Sequence, residues 1–549
     1  MLNDLVSFVS IQAISSFSGS GARVLSEPIF MSYKVIDLFA GPGGLGEGFA
    51  SLNNGQAFNA VVSAEMEASA HKTLILRSYF RHAKKAQDSK PLDAYYDYCH
   101  SASARHPKDA IPKLWEKASK EARQIILGSE AGNQELDQII ANAKLNADET
   151  IVIGGPPCQA YSLVGRARNL GKADYVAEND HRHFLYREYL RILQKVSPAI
   201  FVMENVKGIL SSKVNERLVF HDILRDLSNP SKATNLGDGP EYVIHSLVTD
   251  TQFSHGMDPE DIDPRDFIIH AERFGIPQAR HRVILLGIRK DAVPPNGFRK
   301  LTLAANTIDV RQAFQGLPHL RSKLSKSDDP KAWADTVSAL AKQLAKEAHK
   351  TKWGEIETKL LNVPAGIRDD LSTGAVRIPH PVGEELAHGG NRRLFHAWVR
   401  DERLAVWLNH ETRSHMTSDL GRYLFASSYA DLFDKSPKGH EDFALPSLAP
   451  AHANWQTGKF ADRFKVQVYE RPSTTITSHI AKDGHYFIHP DPLQCRSFTV
   501  REAARLQTFP DNYFFEGNRT QQFHQVGNAV PSLLANQIAR ICWNLLERM

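Results

Sequence analysis

Cys158 stands in the stretch GGPPCQAYS, residues 154–162, directly after the apolar run Ile151, Val152 and Ile153. A buried strand that breaks into two glycines and two prolines leaves a rigid loop end. A thiol there has the access and fixed direction that a nucleophile needs. The competing account is a buried structural cysteine, since free cysteine is commonly core. Glu204 in MENVKG, and Arg280 and Arg282 in ERFGIPQARHRVILLGIR, are the other groups suited to chemistry. Glu204 and Asn205 close an apolar strand one βαβ step after Cys158, so parallel strand ends bring Glu204 and Cys158 to one rim as acid and nucleophile. Gln278, Arg280 and Arg282 enter a further strand, where alternation puts the two arginines on one face, within reach of one anionic or carbonyl-bearing ligand. Residues 162–184 carry Gly165, Gly171, Arg166, Arg168, Lys172 and Arg182. A glycine-hinged cationic loop of this kind suits closure onto a phosphate backbone, although Asp174, Glu178 and Asp180 fit a solvated surface loop as well.

The elements that must position these groups begin with KVIDLFAGPGGLGEGF, residues 34–49, which reads as strand, glycine-rich turn and helix, the first unit of a doubly wound sheet. Gly41, Gly43 and Gly46 satisfy GxGxxG, a pattern usually met at dinucleotide sites. Asp37, just before the turn, argues for a cofactor that brings an ammonium rather than only a pyrophosphate; S-adenosylmethionine has one. The second strand, about 58–64, ends in Glu65, where a ribose-hydroxyl acceptor belongs. Met66 follows, either against an adenine through its sulfur or as core.

With 549 residues, 42% hydrophobic and 23% charged, the chain has material for two or more domains. A net charge of +4 permits a nucleic-acid partner without arguing for one. Cys99, Cys158, Cys495 and Cys542 share no ligand or disulfide spacing, so neither a disulfide framework nor a metal site is expected, and a reducing cytoplasmic setting fits. No apolar run reaches the ~20 residues that span a bilayer. Residues 1–30 read as a poorly ordered leader before Met31, an alternative start. Residues 80–148 read as a largely helical insertion in which Tyr95, Tyr96 and Tyr98 pack on the core. LNHETRSHM, residues 408–416, either touches phosphate or forms a buried polar network.

DLFAGPGG, GGPPCQAYS, MENVKG, QARHR, REAARLQTFP at 501–510 and QVGNAVP at 525–531 occur in the order found in C5-cytosine DNA methyltransferases, and the chain resembles that family across most of 34–290 and 495–549. The resemblance implies a Rossmann-like S-adenosylmethionine-dependent sheet at 31–290, a smaller target-recognition domain at 291–495 and a C-terminal return at 496–549. It implies that Cys158 attacks C6 of a cytosine flipped out of duplex DNA, that Glu204 serves N3, and that Arg282 with Arg280 binds the base carbonyl. Phe39, Gly41, Glu65, Pro157, Asn528 and Val530 would line the cofactor, with Asp37, Gly43 and Met66 beside them. Gln159 and Ser162 would help the closing loop hold DNA, together with Arg166, Arg168, Asn205 and Gln278. Thr475, in STTITSHIAKDG, would meet the flipped nucleotide's backbone. The acid that the family brings to adenine from the third strand is hidden by the insertion. The expected setting is a monomer on DNA, nucleoid-associated, either in a restriction-modification system with a cognate endonuclease or as a solitary enzyme. Methylation of tRNA keeps the chemistry with another substrate. A nicotinamide oxidoreductase leaves PPCQ, MENV and QARHR unexplained.

Overall fold

Alternation along one strand separates the two faces of the central sheet. In β1 (Tyr33–Leu38), Tyr33 and Val35 enter one apolar cluster and Ile36 and Leu38 the other, leaving Asp37 on the first face. The computed structural model describes residues 32–157, 181–214, 217–235, 237–349, 354–380, 391–450 and 463–549. Residues Ser32–Met549 form one unit; the leader at 1–30 and Met31 lie outside the described residues.

The remaining strands of the sheet are β2 (Phe58–Glu65), β3 (Ala122–Gln124), β4 (Thr150–Gly154), β5 (Ile200–Val206), β6 (Tyr242–His245), β7 (Gln252–Phe253), β8 (Ile268–His270) and β9 (His281–Arg289). Their order is β3-β2-β1-β4-β5-β9-β6-β7, with β8 also on β9. The pairs from β3 through β5 are parallel, whereas β9 runs antiparallel to β5, β6 and β8. This is the mixed, mostly parallel-cored sheet expected from the sequence.

Helices cover both faces. On the first, α1 (Gly44–Ala50) and the C-terminal helix Ser532–Leu546 share a cluster with Ile151, Ile153, Ile200, Val202 and Ile284. On the second, Glu130–Asn142, His181–Val196 and Val219–Ser228 enclose Val152, Phe201 and Met203. The segment at 80–148 is helical as expected, but it also contains β3, a strand too short to show a period. Its helix Lys90–His100 buries Tyr95 and Tyr96, and the tyrosine hydroxyls donate outward: Tyr95 to the Asn512 carbonyl at 2.5 Å, Tyr98 to Glu516 at 2.8 Å. Within 291–495, helices Pro330–Ala348, Gly354–Gly366 and Thr417–Phe433 close around the buried Trp333.

LNHETRSHM is a buried polar network. Asn409 exchanges both amide bonds with the Phe515 backbone, His410 meets the Thr499 hydroxyl at 2.8 Å, and Arg413 donates to the Lys482 and Ile480 carbonyls. Burial drives the imidazoles of His410 and His245 down to about 4 and that of His489 to about 3. Each takes a proton in the unfolded chain below about pH 6.5 but not in the fold. Their contribution is therefore intact above that pH and is lost as pH falls toward 4, by on the order of 3 kcal/mol for a fully buried histidine. Urea unfolding at a series of pH values should show stability falling steeply between those limits. His410→Gln should lower stability at neutral pH yet reduce proton uptake on unfolding by about one.

Candidate active site

Glu204 extends the Ile200, Val202 series of β5, and Arg282 extends the Ile284, Leu286, Ile288 series of β9, so both point to the first face. Ile284 lies opposite Glu204 and Arg282 opposite Val206. That register sets Arg282 Nε 2.8 Å from Glu204 Oε1, with the two side chains 13% and 14% exposed. At the neighbouring end of β4, a Cβ on Gly155 would lie 2.9 Å from Glu204 Oε2, so glycine is what allows the loop to pass the carboxylate. The rim therefore holds an acid paired to a guanidinium, next to a loop whose last described residue is the half-buried Pro157. Cys158, Gln159, Ser162, Arg166 and Arg168 lie outside the described residues.

Four residues expected at the ligand instead hold the frame. Asn205 is buried; its Nδ2 donates to the Pro156 carbonyl at 3.2 Å and its Oδ1 accepts from Val206 N–H at 2.8 Å, clamping the proline loop to β5. Gln278 is fully buried, donating to the Leu506 carbonyl and to Gln507 and accepting from Ile476 N–H. Arg280 does not share a face with Arg282, because the chain breaks between the two-residue strand Gln278–Ala279 and β9. It turns inward, donating to the Ile476 carbonyl at 2.7 Å and the Gly527 carbonyl at 3.4 Å. Burial, with the Arg282 charge beside it, pushes its guanidinium well below the usual range. Thr475 is half-buried and gives its hydroxyl proton to the Ala279 carbonyl at 2.7 Å, which leaves none for a phosphate. Alternation and motif order show which strand a residue is on, not that a neighbouring segment consumes its hydrogen bonds.

The glycine turn after β1 forms the second half of the site. Phe39 sits at φ 59°, a left-handed conformation that an aromatic residue holds only when its surroundings enforce it. Gly41, also at φ 59°, has open space where a Cβ would be, and its N–H donates to Glu65 Oε2 at 2.7 Å. Glu65 Oε1 accepts from Glu67 N–H, so the carboxylate is fixed while lone pairs remain free for a hydroxyl donor. Burial raises Glu65 above the usual carboxylate range. Met66 is 55% exposed, as is Ile126 just beyond β3, a pairing at adjacent strand ends that suits the face of a purine. The third strand, which the sequence left unplaced, ends in Gln124, whose Nε2 donates to the Met66 carbonyl at 3.3 Å. The third strand thus ends in an amide rather than an acid.

Three other expected cofactor residues act through packing. Asp37 is 1% exposed beneath α1, where a Cβ on Gly46 would lie 2.5 Å from its Oδ2; sealed there with no hydrogen-bond partner among the described residues, it is pushed up to about 8. Gly43, at φ 100°, leaves room for Leu74 and Tyr513, each 2.9 Å from its would-be Cβ. Val530 is buried in the core cluster behind α1, while Asn528 is exposed at the end of helix Arg519–Asn528 with its amide 3.2 Å from His524.

The sequence profile of the C-5 cytosine-specific DNA methylases matches residues 113–230 and 266–544. The chain belongs to that family. It is 34% identical to the type II methyltransferase M.Bpa9945I of Bacillus paralicheniformis over 92% of this chain and 97% of that one. It is 26% identical to M.AgeI of Thalassovita gelatinovora over 92% and 98%. In fold it is similar to a prophage-encoded protein of E. coli described as a DNA modification methyltransferase, with a TM-score of 0.50, 20% identity and coverage of 94% of this chain and all of the other. The protein is a DNA cytosine-5 methyltransferase. Among the described residues of this methyltransferase, no helix is long and apolar enough to cross a membrane.

The two arginines of QARHR should separate in experiment. Arg280→Ala orphans two buried carbonyls and should destabilise the methyltransferase by roughly 2–4 kcal/mol in urea unfolding. Arg282→Ala should leave most of that stability but lower kcat by about 100-fold, because Glu204 loses its only charged partner among the described residues. Equal losses of stability in the two variants would contradict this division.

Proposed function

We propose that this protein methylates C5 of a cytosine flipped out of a specific duplex DNA sequence, as the modification partner of a cognate restriction endonuclease. The names of its type II relatives support the restriction-modification setting, and the observation that carries the chemistry is the Glu204–Arg282 pair beside the Gly155–Pro157 loop. Carbon C5 of cytosine is a poor nucleophile. In this reading the Cys158 thiolate adds to C6, Glu204 delivers a proton to N3, and the electron pair gathers at C5. Arg282 orients Glu204 and holds the base carbonyl. Once C5 carries the methyl group, loss of the C5 proton, expulsion of the Cys158 thiolate and return of the N3 proton to Glu204 restore the aromatic ring. Flipping is required because the faces of C6 are covered in a stacked duplex.

The family's methyl donor, S-adenosylmethionine, supplies the methyl group. The open space at Gly41, the fixed carboxylate of Glu65 and the exposed Met66 fit its nucleoside half. Glu65 would accept from the ribose hydroxyls, and Gln124 Oε1 would accept from the adenine amine in place of an acid. Phe39 and Pro157 would flank the ring, with Asn528 at the open end. Residues 291–495 would read the sequence, and phosphate contacts would make affinity salt-dependent.

Plasmid DNA from a host without cytosine methylation, expressing this chain, should contain 5-methylcytosine by nucleoside mass spectrometry. Cys158→Ala should abolish the signal, and Glu204→Gln should lower the rate by about 100-fold or more. Absence of 5-methylcytosine with soluble, cofactor-binding protein would refute the proposal. Separately, Gln124→Ala should weaken S-adenosylmethionine binding about fivefold by calorimetry, the worth of one neutral hydrogen bond, while DNA affinity holds.

A further inference from the structure

His270 and His281 face each other across the antiparallel pair of β8 and β9, and Glu272 lies in the single turn Ala271–Phe274 that follows β8. Three ligand-type atoms converge there: His270 Nδ1 is 3.1 Å from His281 Nε2, Glu272 Oε1 is 2.9 Å from the same nitrogen, and His270 Nδ1 is 3.8 Å from Glu272 Oε1. A proton on His281 Nε2 directed at Glu272 leaves the His270 nitrogen without a donor, and Glu272 Oε2 is buried with no hydrogen-bond partner among the described residues. A cation at the centre would accept all three electron pairs. In a tetrahedral site with bonds of about 2.0–2.1 Å, ligand atoms lie about 3.3 Å apart, a spacing inside the 2.9–3.8 Å range of the three separations found here.

We propose that His270, Glu272 and His281 bind one zinc ion, with water as the fourth ligand, and that the ion staples the loop 271–280 to the start of β9. Two imidazoles and one carboxylate are a borderline donor set that suits zinc, and they lack the six or more oxygens that calcium or magnesium would need. The loop so closed carries Gln278 and Arg280, which tie β9 to Ile476 and Gly527. Lys207 and Arg273 act on His270 through space, and Arg280 and Arg282 flank His281 in the chain, so the site must bind its ion against nearby positive charge. The spacing H-x-E with a second histidine eleven residues after the first follows no common finger pattern. Only the hairpin brings the three together.

The test is zinc retention by the full chain after chelation, reloading and gel filtration, measured by elemental analysis. One zinc per chain is expected, with a rise in Tm on loading; His270→Ala and Glu272→Gln should each lose both the ion and the Tm shift. The chain has 24 histidines, so retention unchanged in both variants would mean adventitious surface binding and would overturn the proposal. Cobalt titration of the unmodified protein gives an answer independent of variant folding. Tetrahedral visible absorption, displaced by zinc, supports the site; an octahedral spectrum or no spectrum refutes it. Neither readout depends on methylation.

Discussion

A carboxylate and a guanidinium 2.8 Å apart on adjacent strands are the contact around which this methyltransferase is arranged. They meet because β9 is inserted antiparallel beside β5 in a register that sets Ile284 against Glu204. A slip of one residue would send Arg282 to the opposite face of the sheet and leave the acid alone. Nearby features protect that geometry: Gly155 makes room for the carboxylate, and Asn205 holds the proline loop to the strand that carries it.

Buried arginines perform a second task in the C-terminal return. Arg496 pairs with Glu502 at 2.6 Å, Arg505 with Asp511 at 2.8 Å, and Arg501 donates to the Leu408, Pro510 and Tyr513 carbonyls. Such groups cost desolvation that hydrophobic residues would avoid, so their worth lies less in stability than in direction. Each also satisfies a backbone carbonyl far away in sequence: Arg496 that of Leu320, Arg501 that of Leu408 and Arg505 that of Ala313. Arg280, Gln278 and Gln507 in turn fasten 473–476 and the Val526–Ala529 stretch against the segment that leads into β9.

The glycine turn after β1 shows the opposite character, since its features are mostly open. Gly41 faces empty space, Glu65 keeps lone pairs, and Met66 and Ile126 leave apolar surface uncovered. Asp37 is the exception. Its position next to the turn made it a natural ligand by sequence, yet the pleat puts it on the face that α1 covers, and burial raises it to about 8.

The family, the reaction and the sheet were legible in the sequence because six short motifs each carry a local constraint: glycines that permit a turn, prolines that stiffen a loop, an acid that ends a strand. The positions of Glu65 and Glu204 followed from where strands end. What the chain could not reveal by itself was which polar groups are already spent. Asn205, Gln278, Arg280 and Thr475 resemble ligand-binding residues until the segments that consume their hydrogen bonds are seen, and those segments can lie hundreds of residues away, as Arg280 and Gly527 do. The third strand was hidden because three residues between helices have no period to detect, so Gln124 had no signal at all. The same holds for His270, Glu272 and His281. Spacing along the chain records local geometry, whereas convergence across a hairpin exists only once the strands have paired.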